Sequence, residues 1–84
     1  MQKGFNSDVT VRGQKFHVQT EDWGLRNPFL VSRIFCNGAV IKTVKTSYDI
    51  ALKAESLREE EAIKTALRKQ HHDIMDNLLA GKMP

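Results

Sequence analysis

The sequence predicts an α+β fold, in which a four-stranded antiparallel β-meander precedes a C-terminal helical segment made of a short helix and a long helix. Three observations carry this prediction. Apolar and polar residues alternate with period two from Phe5 to Thr46, glycine-containing turns interrupt the alternation, and the period then changes to that of a helix. With 84 residues, the chain suits a single domain over residues 1–84, with the meander at 5–46 and the helices at 47–81.

The first two predicted strands form a hairpin whose turn contains Gly13. Phe16 and Val18 share one face of the second strand, and His17 and Gln19 share the other. If the helices cover the face of Phe16 and Val18, the polar pair lies on an open face of the sheet.

The second predicted hairpin turns at Asn37-Gly38, which is the strongest short hairpin pattern in a sequence. The strand before this turn, Phe29 to Cys36, is apolar on both faces, as is typical of a central strand. The strand after it is more polar. Residues 21–28 join the two hairpins in an eight-residue linker that carries the only tryptophan.

After the meander, Ser47 can cap a short helix from Tyr48 to about Ala54. Ser56 and Glu59 form a capping box for a second helix, which runs to about residue 80. The two helical pieces could also merge into one bent helix. Gly81 suits the position after the helix end. The predicted apolar stripe of the long helix is Ile63, Ala66, Leu67, Ile74 and Leu78, flanked by Leu57 and Met75.

Composition favours a cytoplasmic protein without disulfides, because the chain has one cysteine, Cys36. Apolar stretches are too short to cross a membrane, so no membrane partner is expected. The net charge is +3. It is concentrated in residues 1–48, where seven Lys and Arg outnumber three Asp and Glu. This excess is compatible with an acidic partner without requiring one.

No group of residues has the pattern of a catalytic or metal site. His71 and His72 are adjacent, so on a helix their rings point about 100° apart and cannot easily hold one ion. Cys36 and His17 are the obvious nucleophile and base, yet no helix N-terminus is predicted near the thiol to lower its pKa. We therefore predict no enzyme activity, no catalytic residue, no metal and no cofactor.

The linker and the preceding strand hold the candidate binding residues. Trp and Arg are the residue types most enriched in binding hot spots, although Trp23 and Leu25 could instead fold back into the core. For Arg26 a contact role is favoured, because burying an unpaired guanidinium is costly. The predicted protein-binding residues are His17, Gln19, Glu21, Asp22, Trp23 and Arg26.

Nucleic-acid binding by the sheet is the alternative. Phe16, Phe29 or Phe35 could stack on bases while cations meet phosphates. The cations for this role are Arg12, Lys15, Arg33, Lys42 and Lys45.

A wider pattern supports a protein partner. The chain resembles a family of small, uncharacterised bacterial proteins of delta-proteobacterial type in three strings: Phe16-His17-Val18-Gln19-Thr20-Glu21-Asp22, Lys45-Thr46-Ser47-Tyr48 and Gln70-His71-His72. The resemblance implies an adaptor of the RomX type, in a polarity or motility complex around a Ras-like GTPase. It also implies that the polar residues from His17 to Asp22 form either a recognition surface or a network that pins the loop, whereas Trp23 stands at a variable position.

The predicted function is therefore that of a small, non-enzymatic protein-interaction module with an unidentified protein partner. A homodimer is a further expectation, because a small sheet leaves its edge strands unpaired.

Overall fold

The computed structural model describes residues 4–53 and 59–83. Four strands come first: β1 (Gly4–Val11), β2 (Gln14–Asp22), β3 (Phe29–Cys36) and β4 (Ala39–Ser47). Two helices follow, α1 (Tyr48–Lys53) and α2 (Glu59–Leu79). The strands form one antiparallel sheet in the order β1-β2-β3-β4. The predicted α+β meander with a short and a long helix is thus confirmed, and β3 is an inner strand, as its apolar pattern predicts.

Both hairpins are closed by two-residue turns with positive φ at each central position. In the first turn Arg12 has φ 51° and Gly13 has φ 81°, and in the second Asn37 has φ 54° and Gly38 has φ 79°. This conformation matches the right-handed twist of the flanking strands, and glycine or asparagine adopts it at little cost. The turns therefore set the register of both hairpins.

The predicted helix ends are confirmed where the structure describes them. The backbone N–H of Ile50 donates to the Ser47 hydroxyl at 3.3 Å, which caps α1. At the other end of the helical segment, Gly81 has φ 78° and its N–H donates to the Leu78 carbonyl, while Lys82 N–H donates to the Asn77 carbonyl. This bond pair is a Schellman motif and ends α2. The predicted capping box lies outside the described residues.

Both helices pack on one face of the sheet, which we call the helix face. Phe16, Val18 and Ile34 of the sheet are buried against Ile74 and Leu78 of α2. A second buried cluster joins Leu30 of β3 to both helices through Tyr48, Ala51, Ile63 and Leu67. The predicted stripe of α2 is therefore its buried face. Neither helix, within the described residues, is long and apolar enough to cross a membrane.

Candidate functional site

The opposite face of the sheet, which we call the open face, has no described helix packed on it. Strand register places cross-strand neighbours on a common face, and three rows of neighbours cross the open face. The first holds Asp8, His17, Phe35 and Val40; the second holds Asn6, Gln19, Arg33 and Thr43; the third holds Glu21, Val31 and Lys45. The prediction that His17 and Gln19 lie on an open face is confirmed.

Trp23 extends the open face beyond the end of β2. Its N–H donates to the Phe29 carbonyl at 3.0 Å, which continues the pairing of β2 with β3 by one residue. The indole ring lies 5.6 Å from the Arg33 guanidinium carbon and 5.2 Å from Lys45 Nζ, and Lys45 Nζ is also 4.5 Å from the Phe29 ring. These are cation–π distances. We call Trp23, Phe29, Arg33 and Lys45 the Trp23 cluster.

An unusually buried residue lies beside the Trp23 cluster. Val31 is 1% exposed although it lies on the open face, on which no described helix packs. Its neighbours along β3 and across to β4 are Arg33 and Lys45, the two cations near the Trp23 ring. Trp23 is half-buried, so its ring is neither fully in a core nor fully exposed.

A second feature lies at the other end of the open face. The ring Nδ1 of His17 is 2.9 Å from Asp8 Oδ1, and its ring centroid is 5.8 Å from that of Phe35. These side chains, with Lys15 and Gln19, line an open groove of about 430 Å³ that ends at the Asn37-Gly38 turn. Polar side chains beside aromatic rings are therefore found at both ends of the open face.

The predicted binding residues do not all share this surface. His17, Gln19, Glu21 and Trp23 lie on it, and Glu21 accepts a 3.3 Å hydrogen bond from Arg33. Arg26 is exposed in the linker. Leu25 is 80% exposed, so the alternative that it folds into the core is wrong.

Asp22 has a structural role in holding the linker. Its Oδ1 accepts hydrogen bonds from the Tyr48 hydroxyl and from the backbone N–H of Gly24. The first contact ties the end of β2 to α1, and the second closes a turn of the Asx type. Asp22 thereby helps to position Trp23, the next residue in the chain.

Replacing Asp22 with alanine is expected to lower the free energy of unfolding by about 1–2 kcal/mol, because the variant loses both contacts of the carboxylate. Urea denaturation followed by Trp23 emission measures the change. Asn27→Ala, an exposed position in the same linker, is the matched control and should alter stability by less than about 0.5 kcal/mol. Equal effects of the two substitutions would contradict the role given to Asp22.

The cations proposed for nucleic-acid binding are divided between two faces. Lys15, Arg33 and Lys45 lie on the open face, whereas Lys42 pairs with Ile34 and shares the helix face. Arg12 lies in the first turn, with its guanidinium beside Gly81. It therefore stands at the C-terminal end of α2, where a cation interacts favourably with the helix dipole.

The residues of the suggested nucleophile and base are also separated. Cys36 is the register partner of Phe16 and packs against the helix-face core, while His17 is the partner of Phe35 on the open face. No group of three or more metal-ligating side chains is found within residues 4–53 and 59–83. Cys36 and His17 thus lie on opposite faces of the sheet and do not form a pair.

A buried polar network on the helix face was not predicted from the sequence. His71 of α2 is 2% exposed, and its Nε2 lies 2.8 Å from the Ser7 hydroxyl, while Nδ1 lies 2.7 Å from the Thr20 hydroxyl. Thr20 and Ser32 are fully buried and joined at 2.8 Å, and Gln70 Nε2 donates to Ser32 at 2.9 Å. The network ties α2 to β1, β2 and β3.

The network resembles a nucleophile–base pair only in part. Ser7 and His71 are within hydrogen-bond distance, but a threonine hydroxyl rather than a carboxylate faces the other ring nitrogen. A hydroxyl does not offset the charge of an imidazolium as a carboxylate does. Burial, with smaller effects from His72 and His17, lowers the pKa of His71 below its ordinary 6.5. We therefore assign the network to fixing α2 on the sheet.

This lowered pKa makes stability depend on pH. The unfolded chain binds a proton at His71 at higher pH than the folded chain, so acid favours unfolding. The free energy of unfolding should be level above about pH 7 and fall as the pH drops through about 6.5 towards the folded-state pKa. Thermal unfolding at several pH values measures this decrease in stability. The decrease below about pH 7 should be smaller in His71→Gln than in the wild type, whereas His72→Ala should retain it. An unchanged profile in His71→Gln contradicts the assignment.

A second concavity lies on the helix face, between α2 and β4. Its volume is about 320 Å³, and it is lined mainly by apolar groups that include Leu30, Val44 and Ile50. The charged residues at its rim, Lys69 and Asp73, pair with each other at 2.9 Å. Among the described residues that line this concavity, the two charges therefore balance.

Comparison of the chain with protein-family models, with curated proteins and with solved structures found no match.

Proposed function

We propose that this chain is a non-enzymatic protein-interaction module of the cytoplasm, which binds its partner through the open face. The observation that carries the proposal is the Trp23 cluster. Two cations lie within 5.6 Å of one indole ring, on the sheet face against which no described helix packs. Trp and Arg dominate the binding energy of protein interfaces, because they combine large contact area with directed hydrogen bonds.

The arrangement also suits binding energetically. The Trp23 ring is held between β3 and β4, so little side-chain entropy remains to be lost on association. The linker that carries Trp23 is fixed by Asp22. The resemblance noted above adds a candidate partner, a Ras-like GTPase complex in polarity or motility, for which the module would be an adaptor.

Affinity capture with paired arginine variants tests the proposal. Arg33 lies on the open face, and Arg68 is exposed on α2. A partner bound through the open face should be retained by the wild type and by Arg68→Ala, and lost with Arg33→Ala. His17→Ala tests in the same way whether the partner contacts the groove at His17. Arg26→Ala tests whether it contacts the linker. If every captured protein binds Arg33→Ala as well as Arg68→Ala, the proposal is wrong.

Nucleic-acid binding is the second candidate, because aromatic rings beside cations on a sheet face can stack on bases. The open face holds Lys15, Arg33 and Lys45 against Asp8 and Glu21. An excess of one positive charge gives only a weak attraction for a phosphate backbone. A gel shift with single-stranded RNA that weakens steeply with salt would support this candidate over a protein partner.

Self-association through the sheet edges is a further mode that we propose. β1 and β4 are the edge strands, and edge strands offer backbone N–H and C=O groups to another chain. Light scattering at several concentrations should then show a mass that rises with concentration. A constant monomer mass would contradict it.

A further inference from the structure

We infer that the Trp23 cluster binds an acidic, extended segment of the partner protein. This inference rests on the proposed function and specifies the chemistry of the partner. It is based on the charges of Lys45 and Arg33, on the aromatic rings beside them, and on the side-chain spacing of an extended chain.

Lys45 is a cation that lacks a carboxylate partner. Within the part of the chain that the structure describes, no Asp or Glu oxygen lies within 4.0 Å of its Nζ. The ammonium is instead placed between two rings, 4.5 Å from the Phe29 centroid and 5.2 Å from that of Trp23. Ring faces attract a cation but accept its hydrogen bonds weakly. The ammonium therefore stays available to an external carboxylate.

Arg33 is only partly satisfied. One of its terminal nitrogens donates to Glu21 at 3.3 Å, which is longer than the usual charge-assisted hydrogen bond. A guanidinium has five N–H donors in a planar fork. Within the described residues, the N–H that faces Glu21 is the one with a hydrogen-bond acceptor. The remaining N–H donors of Arg33 can therefore bind a second carboxylate.

The spacing of the two cations favours an extended ligand. Both lie within 5.6 Å of the same indole ring. In an extended chain, residues two apart face the same side and are about 6.6 Å apart. Acidic residues at such positions can meet Lys45 and Arg33 together, and an apolar residue on the same side can pack against Trp23 or Phe29.

The charge balance favours an acidic peptide over a nucleic acid. Arg33 and Lys45 stand against Glu21, which pairs with Arg33. This local excess of one charge suits a short segment with one or two carboxylates. A phosphate backbone carries one charge per nucleotide and needs a longer row of cations, since each phosphate contact releases counterions.

Trp23 is the chain's only tryptophan, so its emission reports on the cluster directly. The probe is a synthetic peptide of about twelve residues in which Glu, Glu and Val follow one another at every second position with Ser between them, so that Glu and Val share one side of the extended chain. The control peptide has Gln in place of Glu. We expect a saturable change in Trp23 emission with the Glu peptide. Binding of the Gln peptide should be at least about tenfold weaker.

Two lysines of the same strand give the matched variants. Lys45→Gln should weaken binding of the Glu peptide by about tenfold or more. Lys42→Gln removes the same charge from β4 but on the helix face, and should leave binding unchanged. Raising the salt concentration should weaken binding to the wild type more than to Lys45→Gln.

The outcomes separate this inference from the proposed function. Equal binding of the Glu and Gln peptides overturns the inference, as does equal binding by the two lysine variants or no saturable change up to roughly 1 mM peptide. Tighter binding of single-stranded DNA than of the Glu peptide also overturns it. In each of these cases the proposed function stands if capture still distinguishes Arg33→Ala from Arg68→Ala, and falls if it does not.

Discussion

Replacing His71 with alanine should lower the free energy of unfolding by about 3 kcal/mol. The substitution leaves a cavity at a residue that is 2% exposed. It also removes one of the two hydrogen-bond partners of the fully buried Thr20 hydroxyl, which keeps its contact with Ser32. A domain of 84 residues has a total stability of about 4–12 kcal/mol. The variant should therefore unfold at a much lower urea concentration.

The adjacent histidine is the matched control for this prediction. His72 is exposed on the same helix, and His72→Ala should change stability by less than about 0.5 kcal/mol. A loss below about 1 kcal/mol in His71→Ala would show that the network contributes little to fixing α2 on the sheet. Thr20→Val, which removes the hydroxyl and keeps the shape, should give a loss that is not additive with that of His71→Ala.

Replacing Trp23 with alanine should weaken binding of the captured partner by about 100-fold, the size of a strong hot spot. The variant loses the ring that contacts both Arg33 and Lys45. Without the ring, the two cations lose the group that orders them, so they contribute less to binding. Isothermal titration calorimetry with the purified partner measures the loss.

Two further variants separate contact from folding. Leu25→Ala removes an exposed apolar side chain from the same linker and should change affinity by less than about threefold. Trp23→Phe keeps an aromatic ring beside Arg33 and Lys45 and should keep the fold with part of the affinity. If Trp23→Ala binds as tightly as Leu25→Ala, the Trp23 cluster is not the contact. Circular dichroism checks that both alanine variants remain folded.

Most of the architecture could be predicted because it depends on local patterns. Alternation sets the strands, Asn37-Gly38 sets one turn, and Gly81 ends the long helix. Each of these features is decided by residues close in sequence. The open face follows from the same alternation, once one face is assigned to the helices, so the places of His17 and Gln19 could be predicted as well.

The parts that could not be predicted depend on tertiary contacts. Strand alternation places Thr20 and Ser32 on the same face as the apolar residues of β2 and β3. This position is the one indication in the sequence that their hydroxyls are buried. It does not say that His71 meets them, because that contact spans 51 residues. Likewise, strand alternation cannot show that a linker residue such as Trp23 lies beside Arg33 and Lys45.

Charges illustrate the same limit. Arg12 and Lys42 look equivalent to Lys45 in composition, yet the turn places one beside α2 and the register places the other on the helix face. Counting all the cations in one stretch of sequence therefore overestimates the net charge of any single surface. This is why the open face suits an acidic protein segment better than a polyanion.

The most direct test of the open face as the binding surface is an NMR titration of labelled protein with the captured partner. The single indole N–H of Trp23 gives one resonance, and the Nε–H groups of Arg33 and Arg68 report on opposite sides of the molecule. We predict that the Trp23 and Arg33 resonances shift or broaden while that of Arg68 stays in place. Shifts at Arg68 with no change at Trp23 and Arg33 would contradict the account.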